Sequence, residues 1–545
     1  MLFPLLFLAC APDERSPTAV VLLDPARRLI RISMSLRGTR PTVDELRHVL
    51  DEPDDLAAIV LGWNDADPAY AETLRDMHNE GLGLRYDAAL LPADGLSDDV
   101  EMSRLQHDLF EAPLWTASFI MTSHEPYTSL ITANWGAAND ITAAVWSGFD
   151  GYDGDGAWKR TQFSDGRPAA GILADPVLWL VNRSAGTNFS RGRANFVTSR
   201  LICEDFLGSP VEVDPNIDLS DPEVVADAVQ MEPSCTTCHD DLDPIAAFFP
   251  FNDYFVIQRT PFPWTTYDSD WVAQERWNWS IGVDPGWFGQ PGTSLADLSA
   301  SIVDDPRFAT CTARRFQSWL LQTPIDELPE DDVEAWAEDL RGGGWDASRL
   351  FIAMALADGS AVDPEYGGRL LRARPGQLAR LFADLGGVSW TTTSSTACCG
   401  APSGSAPLGT LSLLQDAWMG YEVLAGGVDG PWSPVPNHAM TPTAVLAASR
   451  AAEYAASAAV DADFQAVDAR LLGTANKGTS DEAVIRGVIV DLYLRLLGEV
   501  IDKASPEADL AWNTWAGAYA RTSDPARAWK VLLTALFQDL RLWTY

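Results

Sequence analysis

The chain has 545 residues, with 38 Lys+Arg against 77 Asp+Glu and a formal net charge of −39. Such a surface repels phosphate backbones, so a nucleic-acid-binding protein is excluded and a basic partner is favoured. Hydrophobic residues make up 47% of the chain, with 21 Trp and 21 Phe, which supplies several real cores and excludes bulk disorder.

The first nine residues, MLFPLLFLA, are apolar; Cys10 follows, and the chain then turns polar with APDERSPT. An apolar run that ends in a small residue and a cysteine resembles the lipobox of a bacterial lipoprotein, in which Cys10 carries lipid and becomes the mature N-terminus. A basic leading region is missing and Phe7 stands where leucine is usual. The alternative is a buried element end with an ordinary cysteine. The lipobox implies export to the cell envelope, as a periplasmic or outer-membrane-anchored lipoprotein held through lipid. No run of eighteen or more apolar residues occurs, so no spanning helix is expected.

Beyond residue 20, apolar residues recur at helical spacing behind Asp-Pro and Ser-Pro initiation signals, and the fold is expected to be mainly α. Residues 1–20 are signal and linker. Residues 21–100 form a helical module of two or three helices (VDELRHVL, DDLAAIVLGW, AYAETLRDMHNEGL), and 101–200 a helical module with loops, Gly/Asp-rich between 148 and 176. Residues 201–292 surround a Cys-x-x-Cys-His; from Pro244 to Pro291 aromatics and turn residues displace the helical period, so an irregular or short-stranded segment is expected. Helical modules follow at 293–365 and 366–475, the second with a Ser/Thr/Gly-rich loop over 389–409, and 476–545 closes the chain. This last module resembles 21–100, because helix, turn, helix, Asp-Pro, helix recurs with Asp67-Pro68 and Asp524-Pro525, although any two amphipathic hairpins share much of that pattern.

The strongest chemical motif is Cys235-Thr236-Thr237-Cys238-His239. Two thiols separated by two residues suit thioether bonds to the vinyl groups of one haem, and the adjacent imidazole then lies under the iron as proximal ligand, giving haem c. A thioredoxin-type redox pair would want a βαβ setting, and a zinc site would need a second Cys/His pair; neither is found. Removing Cys10, Cys235 and Cys238 from the seven cysteines leaves Cys203, Cys311, Cys398 and Cys399, an even number that an oxidising compartment can pair. Cys203–Cys311 is the favoured bridge, with Cys398 and Cys399 forming a vicinal bridge or staying free. Four separate buried thiols are the alternative.

The run CTTCHDDLDPIAAFFPFND resembles the haem-attachment segment of the planctomycete-type cytochrome c proteins, a family of large multi-module exported proteins of planctomycetes and myxobacteria. Asp243, Pro244 and Ile245 match its pattern, while Ala246 replaces its glycine. Upstream, Arg191, Gly192, Cys203 and Pro210 fit the same family. Downstream, Asp305-Pro306, Phe308 and Cys311 fit the next module, which departs from the family where SWLLQ (318–322) replaces Tyr-x-x-Gly-Arg. The resemblance is good over about 110–365. RLLRARPGQLARLFADLGG and TPTAVLAASRAAEYAA resemble modules that normally precede the haem module, which implies a permuted order. What the resemblance implies is a cofactor, haem c, more than an activity.

The sixth iron ligand decides function, because ligands on both faces give an electron-transfer centre and an open face permits peroxide chemistry. No His or Met lies between His239 and Met354. Met121 and His124, on an expected loop in the preceding module, are the first candidates for the distal position, His124 ahead; His438 and Met440 form a second pair. His48, His78 and His107 lie on charged helical faces and are expected at the surface. Trp264, Trp271, Trp277, Trp279 and Trp287 crowd the segment after the motif, where they serve as core, haem wall or sugar-stacking platform. Asp240, Asp241 and Asp243 are expected to cap and be solvated, there being no EF-hand spacing. Three functions remain: a c-type cytochrome passing single electrons to an unknown redox partner; a peroxidase-like haem enzyme; and a haem-free surface scaffold or glycan-binding lipoprotein.

Overall fold

The computed structural model describes residues 20–63, 67–85, 101–146, 149–182, 190–208, 215, 217–218, 220–249, 267, 282–394, 409–416, 419–430, 432–466 and 469–545. Four helices open it: α1 (Pro25–Arg37), α2 (Val43–Asp51), α3 (Leu56–Gly62) and α4 (Pro68–Leu82). The side chains of Asp24, Thr42 and Asp67 cap α1, α2 and α4, and proline takes the first position of α1 and α4, where its missing N–H is not needed. α1 escapes a reading from periodicity because Arg31, Ser33 and Ser35 are buried along with its apolar residues. Arg31 gives its two terminal nitrogens to the carbonyls of Ser360, Val362 and Arg369.

α5 (Met102–Thr122) packs along α4 and is followed by the short α6 (Ser129–Thr132) and α7 (Asp140–Val145). Strands on either side of α7 form a sheet that the sequence did not lead us to expect: β1 (Trp135–Ala138) before it, β2 (Phe149–Asp150) and β3 (Lys159–Phe163) after it, antiparallel in the order β1-β3-β2. Pairing supplies what composition hides, since Phe149 faces Phe163 across the β2–β3 ladder with ring centroids 5.5 Å apart. Gly171 ties this region to α6: its φ is +50°, and a Cβ there would lie 2.1 Å from the Leu130 carbonyl oxygen.

α8 (Pro176–Val181), α9 (Arg191–Leu201), α10 (Pro222–Met231) and α11 (Pro233–Ala246) come next, then a hairpin of β4 (Gly286–Trp287) and β5 (Gln290–Pro291). α12 (Leu295–Asp304), α13 (Pro306–Leu321), α14 (Glu330–Gly342) and α15 (Ala347–Leu356) continue the helical course. α16 (Pro375–Gly386) leads into β6 (Thr391–Ser394), which pairs with β7 (Gly409–Ser412) across the ends of the expected loop. Thr391, Thr392 and Thr393 are β-branched and favour that ladder. α17 (Tyr421–Leu424) and α18 (Pro442–Asp463) precede the closing group: α19 (Glu482–Leu492), a π turn over Tyr493–Leu497, α20 (Pro506–Thr522), α21 (Pro525–Phe537) and α22 (Leu540–Trp543).

The fold is mainly helical, as the sequence led us to expect. The first and last groups share an element order: α1 and the π turn both end at a glycine in left-handed conformation, Gly38 and Gly498, and α4 and α21 both start at a capping Asp followed by Pro. The two groups also touch. Arg40 donates to the carbonyls of Arg541 and Leu542 at 2.8 and 2.9 Å, and Arg47 pairs with Asp491. One apolar core runs through Leu29, Ile120, Ile245, Phe308, Leu381 and Phe537, so α11 is rooted in the same core as the terminal groups. Among the described residues no helix is long and apolar enough to cross a membrane.

Candidate functional site

The Cys-x-x-Cys-His motif lies on α11, so Cys235, Cys238 and His239 stand at i, i+3 and i+4 and share one face of the helix. The helix therefore runs on to Ala246, three residues into the segment expected to be irregular or short-stranded; residues 250–266 and 268–281 of that segment lie outside the described residues, and its end holds the short strands β4 and β5. Leu242, Ile245 and Ala246 continue the same stripe and are buried, and their burial carries the helix through Pro244. The carbonyl left without a partner by proline belongs to Asp240, which is exposed. The motif therefore sits where a core-facing stripe comes out to the surface: both thiols are free and half-buried, as is the imidazole.

His239 Nδ1 lies 3.0 Å from Asp243 Oδ1, one turn further along. Arg191, the first residue of α9, donates from Nε to Oδ1 at 2.6 Å and from Nη2 to Oδ2 at 2.8 Å, a two-pronged grip on the same carboxylate. Burial alone would raise the Asp243 pKa, but the hydrogen bonds of Arg191 and His239, with their charges, outweigh it and hold the carboxyl below its ordinary value. An ionised carboxylate only accepts, so Nδ1 carries the imidazole proton and Nε2 is left with the lone pair that binds a metal. Asp243 is thus a buried acceptor shared by Arg191 and His239, which corrects the expectation that it caps or is solvated. Asp240 is exposed, and the Asp241 carboxyl is raised by burial and by Asp240's charge.

Behind the motif, α11 packs on α9 and on the β4–β5 hairpin, where a Cβ at Gly286 would lie 3.5 Å from Pro244. Trp287, at 3% exposure, is core and donates to Asp305 Oδ2 at 3.3 Å. Asp305 caps α13 and receives Arg307 in return. Trp264, Trp271, Trp277 and Trp279 lie outside the described residues, as do Cys10, Cys398, Cys399 and Pro210. Cys203, just past α9, forms a disulfide with Cys311 of α13, their Cα atoms 5.4 Å apart. α9 is therefore held at one end by the Arg191–Asp243 pair and at the other by a covalent bond.

The distal candidates do not gather on this face. Met121 lies in the last turn of α5, not in a loop, and is 1% exposed in the core, which removes it as a ligand. His124 follows α5 in left-handed conformation with Nδ1 2.9 Å from Asp346, the cap of α15. His438 is half-buried beside Arg372 and Arg374; burial first, and then these two charges, push its pKa down to about 3. Met440 is exposed. His48 and His107 are at the surface as expected, but His78 is buried, with Nδ1 2.6 Å from the Leu74 carbonyl and Nε2 3.0 Å from the Tyr127 hydroxyl. Polar residues around His78 in the sequence disguise the inward face of α4.

Two thiols and one imidazole nitrogen on a single half-buried face fit a porphyrin, which brings its own ring nitrogens to the iron. Among the described residues no group of three or more His, Cys, Asp or Glu side chains is arranged to hold a bare metal ion. The roles of Arg191 and Asp243 are the part that sequence reasoning passed over. The signal available was the i, i+4 spacing of His239 and Asp243, which puts carboxylate and imidazole on one face of any helix. No protein-family model, no curated protein and no solved structure matches this chain.

Proposed function

We propose that the chain is an exported c-type cytochrome-like protein that carries one haem on Cys235 and Cys238, with His239 as proximal ligand, and passes single electrons. The observation that carries this reading is the face of α11, where two free thiols precede an imidazole whose Nδ1 is already spent on Asp243. When bound, the haem supplies one-electron chemistry. Cys235 and Cys238 tether it, and Asp243 holds the proton on Nδ1, so that His239 presents Nε2. Arg191 keeps Asp243 charged and fixes α11 against α9. Lipid on Cys10 would hold the protein at the envelope, and its −39 charge would steer a basic redox partner in a salt-dependent way.

A peroxidase-like reading is favoured by two observations: a carboxylate on Nδ1 raises the basicity of the ligand, and Met121 is committed to the core. One preparation tests both. Expressed with a cytochrome c maturation system, the protein should keep haem stain after denaturation and give a two-thioether pyridine haemochrome. Cys235→Ala with Cys238→Ala should abolish both, and stain that survives the double change refutes the assignment. A low-spin ferric spectrum that turns high-spin in one of His124→Ala, His438→Ala or Met440→Ala supports electron transfer. A wild type already high-spin moves the enzyme ahead. Loss of stain with unchanged fold in every preparation would leave the haem-free scaffold. Cys10→Ser should move the protein from the membrane to the soluble fraction.

A further inference from the structure

We propose that the cavity between α4, α9, α13 and the 434–438 loop binds a small organic oxyanion, its carboxylate or phosphate group held by Arg200 and Arg315. The cavity encloses about 280 Å³ and is lined by Met77 and Gly81 of α4, by Arg200, Arg315 and Trp319, and by Pro434 to Pro436 with His438. Both guanidiniums line it and neither makes a direct ion pair with a described residue, although the charge of Asp205 acts on Arg200. Arg315 gives Nε to the Arg200 carbonyl at 2.9 Å and Nη2 to the Ser199 carbonyl at 2.7 Å. Its Nη1 makes no hydrogen bond to a described residue and stands 3.7 Å from where a Cβ of Gly81 would be. Arg200 makes no side-chain hydrogen bond to a described residue, and its Nε is buried.

Several arginines in the core take carboxylates, since Arg85 and Arg380 both hold Asp76 and Arg75 and Arg85 hold Glu111, whereas the buried Arg40 and Arg372 are spent on backbone carbonyls. Arg200 and Arg315 differ from both kinds in that they line an open cavity with donors to spare. Glu80, on the cavity wall, is already neutralised by Arg374 at 2.8 Å, and Asp326 stands exposed at the rim. The pair is also rigidly built. Arg200 lies in the last turn of α9, three residues before Cys203, and Arg315 follows Cys311 by one helical turn, so the disulfide fixes the two stretches of backbone from which they project. Burial lowers the pKa of each, and the charge of Arg200 lowers that of Arg315 further, to about 9. Two like charges left together in this way attract a counter-ion. Trp319, Met77, Pro434 and Pro436 give the rest of the ligand apolar walls, and His438, neutral beside Arg372 and Arg374, offers a hydrogen bond without a competing charge.

The test does not depend on haem and uses the full chain with or without it. Calorimetric titration with benzoate, phenyl phosphate and inorganic phosphate, at constant ionic strength set with sodium chloride, should show saturable one-site binding of at least one of them. Benzoate alone identifies a carboxylate ligand, phenyl phosphate alone a phosphate ester, and inorganic phosphate as tight as phenyl phosphate a free phosphate. Arg200→Gln and Arg315→Gln should each weaken binding about tenfold to a hundredfold, the range expected for one charge-assisted hydrogen bond. Because Arg315 also braces α9, Gly81→Leu provides a variant that keeps both charges, suits the helix and fills the cavity; it should abolish binding. No binding by the folded wild type up to about 10 mM overturns the proposal, since such affinity is below that of a built site. So does binding that all three substitutions leave unchanged.

Discussion

Asp243→Asn keeps the shape of the side chain and removes the charge that joins α9 to α11. In the native protein Arg191 donates two short hydrogen bonds to a carboxylate that is 9% exposed, while its own side chain is 21% exposed. Breaking a fully buried pair costs about 3–5 kcal/mol, and a hydrogen bond to a charged group about 1.5–3. Because water reaches part of Arg191, the lower end applies, about 2–3 kcal/mol, discounted for solvent screening. That energy is local. It should appear as exchange of α11 amides faster by about 30- to 150-fold, read by hydrogen-exchange mass spectrometry on peptides from 191–201 and 233–246. Arg191 has further contacts, so a double-mutant cycle with Arg191→Met isolates the pair, and a coupling below about 0.5 kcal/mol would refute the role assigned to it. The pH dependence has a definite sign. Asp243 titrates below its unfolded value of about 3.9, so its contribution is complete above that pH and is lost as pH falls through the folded pKa. Wild-type and variant exchange should therefore converge in strong acid.

Cys203→Ser with Cys311→Ser opens a bridge between residues 108 apart in sequence; chain entropy alone puts this at about 4–5 kcal/mol, so the thermal midpoint should fall clearly, and equal melting of variant and wild type would contradict the bridge. His78 is buried with its pKa pushed down to about 4 by desolvation. The unfolded chain takes up the proton first, so its contribution, present above about pH 6.5, is lost as pH falls toward 4, about 3 kcal/mol in all. His78→Gln should flatten that part of the stability–pH curve, and parallel curves would show that another group titrates. Gly171→Ala combines positive φ with a clash against the Leu130 carbonyl and should prevent soluble expression; a normal yield with native melting would show that the α6 contact can yield.

The helices were legible because their caps are written locally. Asp-Pro at 67–68, 305–306 and 524–525 places an acceptor and a preset φ at the helix start whatever the rest of the chain does. α1 and the buried side of α4 were not legible, because Arg31 and His78 are satisfied by partners distant in the chain or on the facing element. The three-stranded sheet failed for a related reason: Trp135–Ala138 becomes a strand only by pairing with 159–162. At the site, the motif and the Cys203–Cys311 bridge could be read from residue type and parity. Arg191's grip on Asp243 and the Arg200–Arg315 pair could not, because each depends on where α9 is laid against its neighbours.

The Cys203–Cys311 bridge encloses Cys235 and Cys238 in the chain. A polypeptide oxidised as it emerges offers Cys203 these two inner thiols before Cys311 has appeared, and four thiols can pair in three ways. The native bridge is thus the one that vectorial oxidation reaches last. It forms directly when the inner thiols are capped or stay reduced, and where Cys203 has first paired with one of them, only after that bridge is reopened by thiol exchange. Under the proposed function, haem attachment and oxidation of the scaffold would then be linked in time, and the residues that would carry the cofactor are also rivals of the fold's own cross-link.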